Sequence, residues 1–296
     1  MSESSKVVLP LQGLMTAVLG LWICRIAAND DSIPMDLATE KLENNLRSAE
    51  AAGTFDPFAY DSKLLLAMFE LLAVYNRDSS GIERFARLIG SEIGRLATIP
   101  PRLIGESLLL SQRGFVKSPY VPLLKAGDIS VNGVSLLRME RPDLLLVCGR
   151  IAAASHFGLK SLKAEPGVHL VLKELLPPLL FQTLRDYDLE LGATILRTMR
   201  YSGLRMSRAG RLGTLFLMDQ QDGQGRFGHL SKEALGLSES GTIVPDELAT
   251  RLYLPTTVSC LWALAETVYG NFTLMDSFRR YRAQCSVRSF RKTLSG

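Results

Sequence analysis

The sequence predicts an all-α fold in a single domain spanning residues 1–296, on three observations. Apolar residues recur at helical spacing through almost the whole length. The segments that carry them are joined by short polar connections or ones rich in Pro and Gly, and segments with the alternation and bounding turns of a strand are nearly absent. Hydrophobic residues make up 47% of the 296, enough for a large core and too many for a disordered or fibrous chain. Such a series suits a ring of helical hairpins, with apolar inner helices and amphipathic outer ones.

The first element is an apolar run from Val7 to Cys24 whose only strongly polar side chain is Gln12. It approaches the length of a membrane span, and Ala27-Ala28-Asn29 has the look of a signal cleavage site. A packed core helix fits better. The leader Met1-Ser-Glu-Ser-Ser-Lys6 has no cationic n-region, Pro10 and Gly13 interrupt the run near its start, and Leu11, Leu14, Met15, Val18, Leu19 and Trp22 make one face. A membrane-associated protein anchored by residues 7–24 is the alternative.

After a turn at Asp30-Asp31-Ser32 and Pro34, the spacing predicts an amphipathic helix from Asp36 to Ala51 with Leu37, Leu42, Leu46 and Ala49 inward. Gly53 to Phe58 reads as a loop, with Pro57 holding Asp56 extended. Helices follow over Ser62–Tyr75, with Leu65, Phe69, Leu72 and Ala73, and over Gly81–Ala97, with Ile82, Phe85, Leu88, Ile89, Ile93 and Leu96. Pro100-Pro101 ends that pair. Arg102 to Leu110 reads as a further helix, and Asp128 to Ser135 as an irregular connection with the residues of a short hairpin.

Pro142 then opens a helix running to about His156. Gly167 begins another through Leu180 that bends at Pro177-Pro178, and a third covers Asp186 to Tyr201. Asp186 is expected to cap it, with Asp188 and Glu190 in its first turn. Leu212, Leu215, Phe216 and Met218 give the next helical face, which stops near Gln221 because Asp222-Gly223-Gln224-Gly225 supplies turn residues. The amides of Gln220 and Gln221 are expected on the last helical carbonyls, and Phe227 as an apolar plug. A final helix begins near Pro245-Asp246-Glu247 and buries Val258, Leu261, Trp262 and Ala265.

Composition narrows the function. A net charge of +4 over this length predicts no nucleic-acid partner. The basic run at Arg279, Arg280, Arg282, Arg288, Arg291 and Lys292 reads as a solvated helix and tail over 279–296. Cys24, Cys148, Cys260 and Cys285 are too far apart for a disulfide framework or a CxxC site, which predicts a reducing cytoplasm. No phosphate-binding loop, dinucleotide fingerprint, nucleophile elbow or HExxH helix is present.

The segment Phe216-Leu217-Met218-Asp219-Gln220-Gln221-Asp222-Gly223-Gln224-Gly225-Arg226-Phe227 has the form F-L-x3-Q-x3-G-x-F. It resembles the QW repeat of terpenoid cyclases and protein prenyltransferase β subunits, with Phe227 at the Trp position. Arg251 to Ala265 resembles the helix that follows such a repeat. The resemblance implies an (α/α) toroid. The Asp-Pro-Phe loop, Asp186 to Gly192 and the Gln-Gln-Asp-Gly turn also resemble an actinobacterial group of uncharacterised function, the DUF6895-like family, which would place a His within Tyr253-Leu-Pro-Thr-Thr257.

On that fold the resemblance implies a terpenoid-cyclase-like enzyme of a natural-product pathway, acting by acid/base chemistry on an apolar small molecule or peptide-derived substrate in a central cavity. Class II cyclases protonate an alkene from a D-x-D-D acid. Asp186-Tyr187-Asp188 is the nearest match, and His156 and His169 are the other acid/base candidates. Trp262, Phe227, Tyr253 and His229 are the candidates to line the substrate pocket, where aromatic faces stabilise a cation. Asp30-Asp31 with Asp36 has the wrong spacing for a diphosphate-binding Mg2+ site, and His229, Asp246 and Cys260 the wrong spacing for the prenyltransferase Zn2+. No metal and no cofactor are predicted. A non-catalytic accessory or partner-binding protein on the same fold is the other reading.

Overall fold

The computed structural model describes residues 3–96, 99–100, 103–117, 123–129, 136–205, 207–223, 225–228, 246–268, 273–274, 276–278 and 280–281. The protein is 72% helix, with no strand among the described residues, so the fold is all-α. The chain divides into two compact units. One comprises Met1–Ile99, Leu103–Tyr120 and Phe272–Gly296, and the other Pro100–Arg102 and Val121–Asn271.

The first unit contains α1 (Glu3–Ala28), α2 (Met35–Ala51), α3 (Ser62–Val74), α4 (Ser80–Gly94) and α5 (Ile104–Gln112). Its middle is α3, which packs against the other four. Asp61 caps this helix by accepting from the Leu64 N–H at 2.8 Å. Nearly every later residue is apolar and buried, as a helix surrounded on all sides requires. Along α1 the stripe Leu11, Met15, Val18, Leu19 and Trp22 is buried. Leu11–Ala28 is long and apolar enough to cross a membrane, and 39% of it is buried inside the protein.

Three leucines expected inward face outward: Leu37 is 66% exposed, and Leu88 and Leu96 are also exposed. On α2 the buried stripe is Met35, Thr39, Leu42, Leu46 and Ala49. Leu37 lies about 200° round the helix from Met35, on the far side.

Residues between 273 and 281 close the unit from the other end of the sequence. Trp22, fully buried, stacks on Phe278 with ring centroids 5.6 Å apart and donates its indole N–H to Ser277 Oγ at 3.0 Å. Tyr281 meets Trp22 edge-on at 5.1 Å, stacks on Tyr75 at 6.0 Å, and lies beneath the Arg25 guanidinium.

The second unit holds α6 (Arg141–Ala154), α7 (Val168–Arg185), α8 (Leu189–Tyr201), α9 (Arg208–Asp219) and α10 (Asp246–Val268). Pro142 lies in the first turn of α6, and α7 runs through Pro177 and Pro178 to Arg185. At the centre is α8, packed against α6, α7, α9 and most extensively α10. Two glycines set the close packing of α8 and α9 on α7. A Cβ on Gly192 would stand 2.5 Å from Leu184 Cδ2, and one on Gly213 of α9 would stand 2.7 Å from Leu180 Cδ2. Ala126–Ile129 is a short 3-10 turn, and the rest of the expected hairpin, 130–135, lies outside the described residues.

Candidate functional site

Helix α9 carries its small residues inward and its large ones outward. Ala209, Gly210, Gly213, Thr214 and Leu217 are buried, while Leu212, Leu215 and Met218 are 44%, 61% and 53% exposed. Small inner residues let α9 lie close on α7, leaving a groove between the two of about 500 Å³. Its walls are Phe181, Leu184, Arg185, Tyr187, Leu212, Gly213 and Phe216. That volume falls within the range of roughly 300–1,000 Å³ typical of small-molecule sites. The lining is apolar and aromatic, with Tyr187 and Phe216 ring centroids 6.1 Å apart and Arg185 the one charge on the wall.

Tyr187 stands in the expected acidic segment, in the left-handed region at φ +60°. That conformation turns the chain from α7 into α8 in the space of Asp186 to Asp188. Asp186 is exposed beside Arg185, 3.1 Å away. It does not cap the helix. Asp188 does, one Oδ accepting from the Leu191 N–H at 3.0 Å and the other from Arg141 Nε at 2.7 Å. Arg141 reaches Glu190 as well, at 2.6 Å. One guanidinium thus binds both acidic residues of the first turn, an arrangement that locks the start of α8 onto α6.

The two histidines within the described residues are apart from the groove walls. His169 is exposed in the first turn of α7. His156 is 4% exposed just beyond α6, at φ +50°, where it begins a left-handed turn with Phe157. Burial, then Lys160 and Lys163, hold its imidazole below the ordinary histidine value. A lowered folded value means that the native state resists protonation. The stability this contributes is therefore complete above the ordinary value of about 6.5 and is lost as pH falls below it. Thermal midpoints measured from about pH 7.5 down to 5 are expected to fall in the native protein. In His156→Asn, whose side chain tolerates the same backbone region, that slope is expected to flatten.

The aromatic candidates fall in two places. Phe227 is fully buried, as the plug requires, with its backbone N–H on Thr257 Oγ1 at 3.1 Å. Tyr253 is half-buried under the Arg226 guanidinium at 4.9 Å. In the preceding turn Gln221 donates to the Gly225 carbonyl at 3.0 Å, so its amide spans the turn instead of capping α9. Trp262 lies elsewhere on α10, in a buried ionic cluster against α8. Arg197 stacks over its ring at 4.0 Å, and its indole N–H donates to Glu266 Oε1 at 2.8 Å. Glu266 Oε2 is 3.1 Å from Arg200 Nη1, and Tyr201 is buried beside the same carboxyl.

Glu266 is 1% exposed. Burial pushes its carboxyl up, and Arg200, Arg197, Trp262 and Tyr201 pull it back without cancelling the rise. Tyr201 is raised well above its ordinary value by the same burial and by Glu266. Burial pushes the Cys260 thiol up to about 12 and raises Cys148, so both behave as apolar side chains. His229 and the Asp246 side chain lie outside the described residues, and no group of three or more potential metal ligands is found among the described ones.

The sequence reading missed Arg141, Arg197, Arg200, Tyr201 and Glu266. One signal for Glu266 was available. It sits four residues after Trp262, at the end of a stretch that is apolar from Cys260 to Ala265, on the face expected to be buried. Compared with protein-family models, curated proteins and solved structures, the chain matches none.

Proposed function

We propose that this all-α protein is a binding protein that holds an apolar or amphipathic small molecule in the groove between α7 and α9. The observation that carries this is the lining itself. Phe181, Tyr187 and Leu212 are between 44% and 45% exposed although each is large and apolar in character, and they converge on one concave surface. Exposure of that kind is costly unless something covers it. Arg185 on the rim suits an anionic head group attached to an apolar body.

Anilinonaphthalene sulfonate, an apolar ring system with one anionic group, and dodecanoate are suitable probes. Dodecanoate is expected to displace the dye competitively. Phe181→Gln, at a half-exposed position, is expected to weaken both by about tenfold, the loss of one partly buried aromatic side chain. Absence of dye binding to the native protein, or binding unaffected by this substitution, would overturn the reading.

A second reading is favoured by one observation: Tyr187 of the Asp186-Tyr187-Asp188 segment lines the groove. In this reading the helices form an (α/α) toroid and the protein is a terpenoid-cyclase-like enzyme. Asp188 would then have to release its helix cap and Arg141 to carry a proton. Incubation with a linear polyprenyl alcohol separates the two readings. A cyclised product lost in Asp188→Asn supports the enzyme, and reversible binding without a product supports the carrier.

A further inference from the structure

We infer that the outward face of α9 joins a second copy of this chain, in an antiparallel pairing about a two-fold axis at Leu215. Among the described residues the face is unpartnered, and it is apolar where surface helices are ordinarily polar. Leu215, its most exposed apolar residue at 61%, stands opposite the buried stripe of Ala209, Gly213 and Leu217. What identifies the occupant is the arrangement of residues on either side of it. Three positions before Leu215 is Leu212, and three after it is Met218. Four positions before is Arg211, and four after is Asp219, both exposed and with no ion pair among the described residues.

An antiparallel helix pair brings together positions equally far from its axis on opposite sides. With the axis at Leu215, Leu215 meets its own copy, Leu212 meets Met218, and Arg211 meets Asp219, each contact occurring twice. Both charged positions are four residues, about 6 Å along the helix, from the centre. All five lie within about 60° of the Leu215 direction, so they face the partner together. Apolar contacts occupy the middle of the face and opposite charges its ends, the layout of a specific interface. A parallel pairing would put Arg211 against Arg211. A different partner would have no reason to match this internal symmetry.

Leu212 is also a wall of the groove. Met218 of the second copy, a flexible side chain suited to irregular gaps, then covers the rim of the apolar site. This inference extends the binding reading without depending on it, since association is read with no ligand present.

Sedimentation equilibrium of the full chain tests it. At concentrations up to about 0.1 mM the expected mass is twice the 32.6 kDa of one chain. Leu215→Glu, at an exposed position where the fold tolerates a charge, is expected to weaken association by at least about a hundredfold, with an unchanged far-ultraviolet circular dichroism spectrum. Arg211→Asp and Asp219→Arg each oppose like charges and are expected to weaken it by about tenfold. Combining them restores opposite charges, and affinity is expected within about threefold of native. A mass of one chain throughout, association indifferent to Leu215→Glu, or a double variant no better than the singles would each overturn the pairing. Failure of dye binding together with an intact dimer would overturn the groove reading alone.

Discussion

Replacing Trp22 with alanine is expected to cost the first unit about 3–5 kcal/mol, the range for deleting a fully buried aromatic side chain. The indole is 0% exposed and sits where α1, α3 and the C-terminal residues meet. It supplies the stack on Phe278, the edge contacts with Tyr75 and Tyr281, and the hydrogen bond to Ser277. Its removal leaves a large cavity and takes the indole donor from Ser277 Oγ, which keeps its own bond to the Leu274 carbonyl, and the two losses add. Phe278→Ala should approach the same cost from the opposite side of the stack. Leu21→Ala, next in sequence but 37% exposed, should cost less than about 1 kcal/mol. Urea unfolding followed by circular dichroism reads all three. A Trp22→Ala transition within about 1 kcal/mol of native would mean that residues 273 to 281 do not hold the unit closed.

That clamp was not legible in the sequence, for a physical reason. Helical periodicity says that Trp22 faces a core and cannot say which residues, about 250 positions away, complete it. The helices were legible because each buries a stripe at a fixed angular interval, and the stops were legible where Pro, Gly or Asp impose them, as at Asp222 to Gly225. The direction of α9 was not. Its inner face is built from Ala209, Gly210, Gly213 and Thr214, whose small size is what close packing requires, so the apolar signal points outward. The same limit hid the candidate site. The groove exists because small residues bring α9 down onto α7, and the segment singled out for its carboxylates contributes a tyrosine to the wall. Asp188 and Glu190 look alike with and without Arg141, which is 47 positions away from Asp188 and pairs with both.

The buried cluster between α8 and α10 yields the other large effect. Arg200→Met is expected to destabilise the protein by about 3–5 kcal/mol, because it leaves the Glu266 carboxylate buried without its ion-pair partner. Glu266→Gln keeps an acceptor for the Trp262 indole but leaves the guanidinium unmatched, and should cost less. The double variant should be more stable than Arg200→Met alone, with a coupling of roughly 1–3 kcal/mol, since two uncharged side chains need no counter-charge. The pH dependence has a definite sign. The folded value of Glu266 is raised above the ordinary 4.5, so the native state takes up a proton more readily than the unfolded chain. Stability contributed this way increases as pH falls through the raised value and is complete below about 4.5. It runs opposite to the contribution of His156, and the two are separated by the variants: the gain in acid should vanish in Glu266→Gln and persist in His156→Asn. An ion pair buried to this degree carries a desolvation cost that its partners only partly offset, so removing one partner is expected to cost more than replacing both. If Arg200→Met proved neutral and the acid gain survived in Glu266→Gln, that carboxyl would be solvated and the cluster open to water.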